Sequence, residues 1–510
     1  MRGLESGKMH LRHEVFTEVA RMAFEGGNYE RKLEQLPYKI IPGEVETYRD
    51  NVLLERAVVS EQLRLAMGLP LRSASEYVPM SDGMDNGDVF EHYYEKPLVN
   101  IIKFACNKCP DDQMVVTSSC QGCLEHPCME VCPKHAVFRK DGKAHIDPAR
   151  CVHCGLCMKA CQFNAIIHQE RPCRKACGIN CIGSDLLGRA EIDYRKCTSC
   201  GQCLVNCPFG AIADKSQIFQ TITAIKSQVP IYVVLAPAFV GQFGADVTPG
   251  KLCAALHQLG FDGVYEAAIG ADLCILQEAM EFLECVPSKQ RFMVTSCCPS
   301  WSDLVKKFSP EMSHNISLAL TPMVLTARMV KRKHPGCKVV FIGPCDSKKL
   351  EAHRRTVRSD VDFVLTFEEV LGMFDAKGID PHDIPAEEEI EINRASTDAR
   401  RFAVSGGVAD AVANMIRQLD PTREVKIARA NGLNECLKLL LLARCGKYDG
   451  YLLEGMACPG GCIAGAGTLQ PVQQSHKQVE AFSQTASFAH ADETPFREYL
   501  DLVTVLDGKE

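Results

Sequence analysis

The chain has 510 residues, 46% hydrophobic and 24% charged, with a formal net charge of −7 and 28 cysteines. That length asks for two to four domains with substantial apolar cores. The mildly acidic balance argues against a general nucleic-acid binder, which needs a basic surface.

The N-terminus, from Met1 to Lys8, is charged and lacks an apolar core, so no signal peptide is expected. In 1–100, Phe16, Val19, Ala20, Met22 and Ala23 form a helical stripe. A second helix is predicted from Leu53 to Met67, ended by Gly68 and Pro70, and Ser81–Asp88 reads as a loop. This stretch is expected to be a small helical cap or interaction module. Residues 101–216 hold seventeen cysteines on short spacings and little else that could build a core. From 217 to 471 the texture becomes α/β. Strands are predicted at Ile231–Leu235, Phe292–Val294, Val339–Ile342, Phe363–Leu365, Phe402–Val404 and Tyr451–Leu453. Helices are predicted at Ala271–Cys285, Ser317–Lys333, Val408–Leu419 and Asn434–Ala443. The tail, 472–510, reads as helical and polar. The longest apolar run, Ile231 to Phe243, contains Pro and Gly and is too short for a bilayer. A cytoplasmic, reducing and oxygen-poor setting is therefore expected, in which clustered thiols hold metal rather than pair as disulfides.

The cysteines of 101–216 form a degenerate repeat. Cys132-Pro-Lys-His-Ala-Val, Cys161-Gln-Phe-Asn-Ala-Ile, Cys177-Gly-Ile-Asn-Cys-Ile and Cys207-Pro-Phe-Gly-Ala-Ile align. The spacing C-x2-C-x2-C-x3-C indicates iron–sulfur clusters rather than zinc, which would favour isolated C-x2-C pairs. In two-cluster ferredoxins the fourth cysteine of one motif serves the other cluster. That swap predicts one 4Fe-4S cubane on Cys120, Cys123, Cys128 and Cys161, and another on Cys151, Cys154, Cys157 and Cys132. A third would use Cys197, Cys200, Cys203 and Cys177. A fourth would use Cys207 and Cys173 with Cys106 and Cys109, unless the last two are a structural pair. Cys181 stands where the other repeats have Ala and is the odd thiol. A row of such clusters is an electron wire.

Four more cysteines lie in Gly/Pro-rich loops after predicted strands: Cys298 in Thr295-Ser-Cys-Cys-Pro-Ser-Trp301, Cys345 in Gly343-Pro-Cys-Asp-Ser-Lys-Lys-Leu-Glu351, and Cys458 and Cys462 in Glu454-Gly-Met-Ala-Cys-Pro-Gly-Gly-Cys462. Strand C-terminal ends are where open α/β sheets place their sites. Cys458 and Cys462, four apart, could share one helical turn. Glycines such as Gly461 allow backbone to approach a bulky group. Cys253, Cys274, Cys285, Cys337, Cys436 and Cys445 are read as small hydrophobes.

The three segments resemble the signature motifs of iron-only (FeFe) hydrogenases, over about 100–470. The resemblance implies a two-lobed α/β catalytic domain with a strand-end H-cluster site, preceded by a ferredoxin-like α+β iron–sulfur region. It implies that Cys298, Cys345, Cys458 and Cys462 hold a cubane and that Cys462 bridges to a two-iron unit carrying CO, cyanide and azadithiolate. Pro237, Ala238, Pro344 and Gly461 would line that cofactor, Lys348 would hydrogen-bond a cyanide, and Met456 would pack beside it. Cys297, Glu278, Ser317 and Glu281 would relay protons. Gly343, where well-known members have Met, Ala236, where many have Ser, Met323 after Pro322, and Gly465-Ala-Gly-Thr-Leu-Gln-Pro471 depart from the usual pattern and resemble the divergent monomeric group B.

The function implied is reversible dihydrogen oxidation and proton reduction. Electrons would pass through the 4Fe-4S clusters to a ferredoxin, and maturation proteins would supply the diiron unit. No flavin or nicotinamide domain is evident, since no G-x-G-x-x-G run sits in a βαβ setting. Two alternatives remain at this stage. One is a non-catalytic iron–sulfur assembly factor, a class that lacks the counterparts of Cys297 and Lys348. The other is a dihydrogen sensor, which would need a signalling domain.

Overall fold

A computed structural model describes residues 6–73, 75–84, 96–386, 392 and 394–502. Residues 85–88 of the predicted loop, the first residues of the chain and the last eight of the tail lie outside them. No helix of the described residues is long and apolar enough to cross a membrane.

Two parallel sheets organise the second half. The larger runs in the order Gly263–Glu266, Ile231–Leu235, Lys338–Ile342, Phe363–Leu365. The smaller runs Met293–Val294, Tyr451–Met456, Lys426–Asn431. Central strands such as IYVVL and KVVFI are nearly continuous apolar runs because helices cover both faces. All strands within each sheet are parallel. Their C-terminal ends carry the loops that hold 236–238, 297–298, 344–345 and 457–462.

The helices Ala268–Cys285, Gly407–Leu419 and Leu433–Arg444 match their predicted positions to within a few residues. Three expectations need correction. Phe402–Val404 is not a strand: Arg401–Ala403 forms a 3-10 turn. Its backbone presses against Gly461 instead of a sheet edge. The helix predicted from Ser317 begins at Pro322, because 316–317 still run beside Val294 and Pro supplies the first helical position. Cys458 and Cys462 do not share a helical turn. Gly460 and Gly461, at φ +106° and +95°, make a tight turn between them, and Cys462 opens a separate 3-10 turn.

The iron–sulfur region is built of antiparallel pairs only two strands wide: Gln113–Val116 with Ile166–Gln169, Val137–Lys140 with Lys143–Ile146, and Ile182–Ser184 with Ala190–Ile192. Val99–Ile101 pairs with Ile212–Asp214 and ties its entry to its exit. Around the first two cluster motifs the buried apolar cluster among the described residues is small: Met114, Cys128, Val137, Cys157 and Ile166, with Ala136 and Ala165 buried beside them. A core this small needs metal to stabilise it.

The N-terminal helices are part of the main core. Gly7–Glu25 buries Val15, Phe16, Val19, Ala20, Met22 and Ala23 together with both the helix Ile218–Lys226 and the larger sheet. It crosses Phe367–Lys377 at Gly372, where an added Cβ would stand 2.8 Å from that of Phe16. From the same helix, Arg12 reaches Asp214 at the exit of the iron–sulfur region (2.7 Å) and Glu368 of the α/β half (2.8 Å). Lys349, fully buried, joins Asp214 to Glu369 at 2.8 Å each.

Candidate functional site

The loops at the strand ends close on one cavity. Cys298, Cys345, Cys458 and Cys462 line it, although they come from three distant segments. Its remaining wall is mostly apolar and includes Ala236, Pro237, Ala238, Met323, Phe341, Phe402 and Met456. Pro344, Gly461 and Gly465 bring backbone up to it. Each of the four thiols has its pKa raised by burial, Cys462 to about 12 in the protein alone. Thiolates are therefore not stable there without a compensating cation, which is what a metal cluster provides.

The closeness of the packing follows from glycines and small residues. At Gly343 a Cβ would stand 2.6 Å from Phe341 Cε1 and 2.9 Å from the Cβ of Ala236. The departures at Gly343 and Ala236 thus belong together: the Phe341 ring fills space that a longer side chain at 343 would need.

Lys348 enters the same cavity and is 8% exposed. Its Nζ stands 2.7 Å from Glu351 Oε2, yet neither atom is aligned for a hydrogen bond. An ammonium has three N–H donors, so with Glu351 on one side this buried cation still has donors to offer an anionic ligand in the cavity. Trp301, a largest fully buried side chain, packs on Gly455 and fixes the loop after Cys298 against the strand that leads to Cys458.

Cys297 also lines the cavity, and burial raises its pKa well above the usual thiol value, so it holds its proton. Glu278, fully buried on the helix Ala268–Cys285, lies within its electrostatic reach. Glu278 Oε1 accepts from the Ser296 amide at 3.0 Å and from the Ser296 hydroxyl at 3.2 Å, while Oε2 has no partner. Burial raises its pKa to about 7. One turn on, Glu281 is half-buried and accepts from Ser317 Oγ at 2.8 Å. Burial raises its pKa, and the Ser317 hydroxyl opposes this. Cys297, Glu278, Ser317 and Glu281 therefore form a line from the cavity toward the surface. Sequence reading missed Ser296, which orients Glu278; Cys274, buried in the apolar core as expected, also lies beside Glu278 and Ser296. Cys445 is exposed, contrary to its reading as a buried hydrophobe.

The iron–sulfur cysteines also gather in fours. Cys120, Cys123, Cys128 and Cys161 line one cavity. Cys157 lies within electrostatic reach of Cys151 and Cys132. Cys154 is exposed at the edge of that group. Cys200 and Cys203 face Cys197 and Cys177. Cys173 and Cys109 each face Cys207 and Cys106.

The backbone repeats with the cysteines. The second residue after the first cysteine of each C-x2-C pair is left-handed: Lys108, Gly122, His153 and Ser199, with φ of 50°, 60°, 53° and 54°. So is the third residue after each fourth-type cysteine: His135, Asn164, Asn180 and Gly210, with φ of 48°, 48°, 49° and 59°. Such turns aim successive N–H groups inward at an anionic centre. The amides of Ala136, Ala165 and Cys181 indeed approach the sulfurs of Cys132, Cys161 and Cys177 at 3.2, 3.4 and 3.4 Å. Cys106-x2-Cys109 has the same turn as the other three pairs.

The loop 197–203 is fastened directly to the large cavity's loops. Ser347 Oγ donates to the carbonyls of Thr198 and Ser199 at 3.0 and 2.9 Å, and Ser300 Oγ to that of Thr198 at 3.1 Å. Gln202 Nε2 donates to Cys458 Sγ at 3.4 Å and to the Ala464 carbonyl at 3.2 Å. Gly201, at φ +73°, packs on Asp346 and Ala466. Cys200 itself lines the cavity.

Comparison with known proteins bears on these sites. Residues 229–466 match the family model described as iron only hydrogenase large subunit, C-terminal domain. Residues 144–167 and 189–212 match 4Fe-4S binding domains. Iron hydrogenase 1 of Clostridium pasteurianum is 30% identical over 63% of this chain and 64% of its own length. The periplasmic [Fe] hydrogenase large subunit of Nitratidesulfovibrio vulgaris is 30% identical over 48% of this chain and 67% of its own. A probable cytosolic Fe-S cluster assembly factor of Drosophila virilis is 26% identical over 50% of this chain and 64% of its own. Among solved structures, a variant of apo [FeFe]-hydrogenase from Chlamydomonas reinhardtii matches with TM-score 0.48 and 23% identity, over 56% of this chain and 94% of that one.

Proposed function

The chain belongs to the iron-only hydrogenase family, and on that premise we propose that it interconverts dihydrogen with protons and electrons at an H-cluster. The observation that carries the proposal is the convergence on one apolar cavity of four remote cysteines, the buried Lys348 ammonium and the Cys297 thiol. In this reading Cys298, Cys345, Cys458 and Cys462 would hold the cubane, with the two-iron unit placed on the Cys462 side of the cavity. When bound, that group supplies the redox metal and the basic site at which dihydrogen is made or split.

The chain's own residues do the rest. Lys348 Nζ donates to an anionic ligand of the diiron unit and fixes its orientation. Met456, Phe341, Met323, Ala236, Pro237 and Ala238 keep water away from it. Cys297 Sγ passes its proton to and from the pocket, and Glu278 Oε2, free of other partners, takes it up. Ser317 then links Glu278 to Glu281, which opens to solvent. Because Glu278 has a pKa near 7, both of its protonation states are populated at neutral pH, as a two-way relay requires.

Electrons arrive through the 197–203 loop, with Cys200 beside the large cavity. The shared backbone turns support four accessory cubanes, the fourth on Cys106, Cys109, Cys173 and Cys207. A ferredoxin-sized carrier is the partner proposed for the outer clusters. The assembly-factor reading is less well supported, because Cys297 and Lys348 both face the cavity.

Infrared spectroscopy of anaerobically matured protein tests the proposal. CO and cyanide bands are expected between about 1,800 and 2,100 wavenumbers, and their absence would overturn it. Cys297→Ser should keep the bands and lose most turnover, whereas full turnover would remove Cys297 from the relay.

A further inference from the structure

Five cysteines, not four, surround the third cluster site. The spacing assigns Cys177, Cys197, Cys200 and Cys203 to one cubane; the last three lie within the 4Fe-4S match over 189–212, and Cys177 faces Cys200 and Cys203. The fifth is Cys181. It is 5% exposed, and its Sγ lies 3.3 Å from Cys177 Sγ. It therefore stands directly beside an expected ligand, with Cys197 within electrostatic reach. In the aligned repeats its position is Ala136, Ala165 and Ala211, where a methyl group closes the turn. Nothing in the turn itself calls for a sulfur.

We propose that Cys181 is a second ligand position of this cluster, interchangeable with Cys177. Both side chains rise from one turn, and Cys181 opens the strand Ile182–Ser184, which holds its backbone in place. With the two sulfurs 3.3 Å apart, side-chain rotation between staggered wells lets either one take the same ligand position. In the exchange the Cys181 sulfur forms a bond to iron as the Cys177 sulfur leaves it. The thiol proton of Cys181 passes to Cys177 across the short contact between them. No electron is gained or lost. The Cys181 amide, which faces Cys177 Sγ at 3.4 Å, stabilises the first arrangement, so Cys177 is the resting ligand. Cys181 keeps the cluster in place when Cys177 is absent or displaced.

The inference rests on cluster binding at 177–203 and not on dihydrogen chemistry, so iron content tests it whether or not the protein turns over dihydrogen. The experiment compares anaerobically reconstituted full-length variants by iron analysis and by electron paramagnetic resonance of the reduced protein. Cys181→Ala should keep the wild-type iron count. Cys177→Ala should also keep it, with the resonance of one cluster shifted. Cys177→Ala with Cys181→Ala should lose about four irons. If Cys177→Ala alone loses as much iron as the double variant, or if the double variant loses none, the proposal fails. Should Cys177→Ala not fold, Cys177→Ser replaces it. Adding Cys181→Ala to Cys177→Ser must then change the spectrum, and an unchanged spectrum overturns the proposal.

Discussion

Glu278 has the environment of a residue chosen for its protonation rather than for packing. It is fully buried, keeps one oxygen without a partner, and has its pKa raised from 4.5 to about 7 by burial. Glu278→Gln keeps the shape and the ability to accept from Ser296 but cannot carry a proton. Turnover should fall by about 10²–10⁴-fold while the infrared bands persist. A second readout follows from linkage. The folded state binds this proton more tightly than the unfolded state, so its contribution to stability is complete below pH 4.5 and is lost as pH rises through 7. Denaturant titrations at pH 5 and 8 should show the wild type losing up to about 3 kcal/mol that Glu278→Gln does not lose. Equal pH dependence in the two proteins would contradict the burial argument. From the sequence, Glu278 enters the relay only through the family resemblance, since its position three residues before Glu281 on a helix fits an exposed face equally well. Its pairing with Ser296 was invisible because the serine comes from a neighbouring loop.

At the scale of elements, the sequence revealed what is regular and central. Apolar runs such as IYVVL and KVVFI identified the inner strands of the larger sheet, and cysteine spacing identified the cluster turns. Of the strands in the two parallel sheets, the ones it missed, Gly263–Glu266 and Lys426–Asn431, are both edge strands. The second has mostly half-exposed or exposed residues, so no apolar signal marks it. Phe402 was misread for the opposite reason: its apolar neighbours line a cofactor cavity and not a sheet. The short helix Gln202–Asn206 illustrates a role that no pattern announces. Its first residue spans two cluster sites by donating to Cys458 Sγ. Hydrogen bonds to cluster sulfurs raise reduction potential. Gln202→Leu should therefore shift the catalytic-site cubane to a more negative midpoint in a redox titration. An unshifted midpoint would mean that the contact does not persist in the loaded protein.

For the molecule as a whole, one buried charge network joins three parts of the chain. Lys349 pairs with Asp214 and Glu369, and Arg12 adds a second cation to Asp214, holding that carboxyl well below its ordinary pKa. Lys349→Met would leave two buried carboxylates short of a partner and should destabilise the fold by about 3–5 kcal/mol, read as a lower denaturation midpoint. An unchanged midpoint would show that the neighbouring cations suffice. The adjacent Lys348 and Lys349 look equivalent in the sequence, yet one faces the cavity and the other the network, because successive residues on a helix point about 100° apart.

The clasp of Ser300, Ser347 and Gln202 on the 197–203 loop has a kinetic consequence. Two redox centres held on separately moving bodies exchange charge only when a collision brings them close, and a thicker medium slows that exchange. Here the last step of the wire crosses a gap set by hydrogen bonds within a single packed unit. Its speed should be indifferent to added glycerol, leaving carrier docking at the far end as the step that syrup can slow.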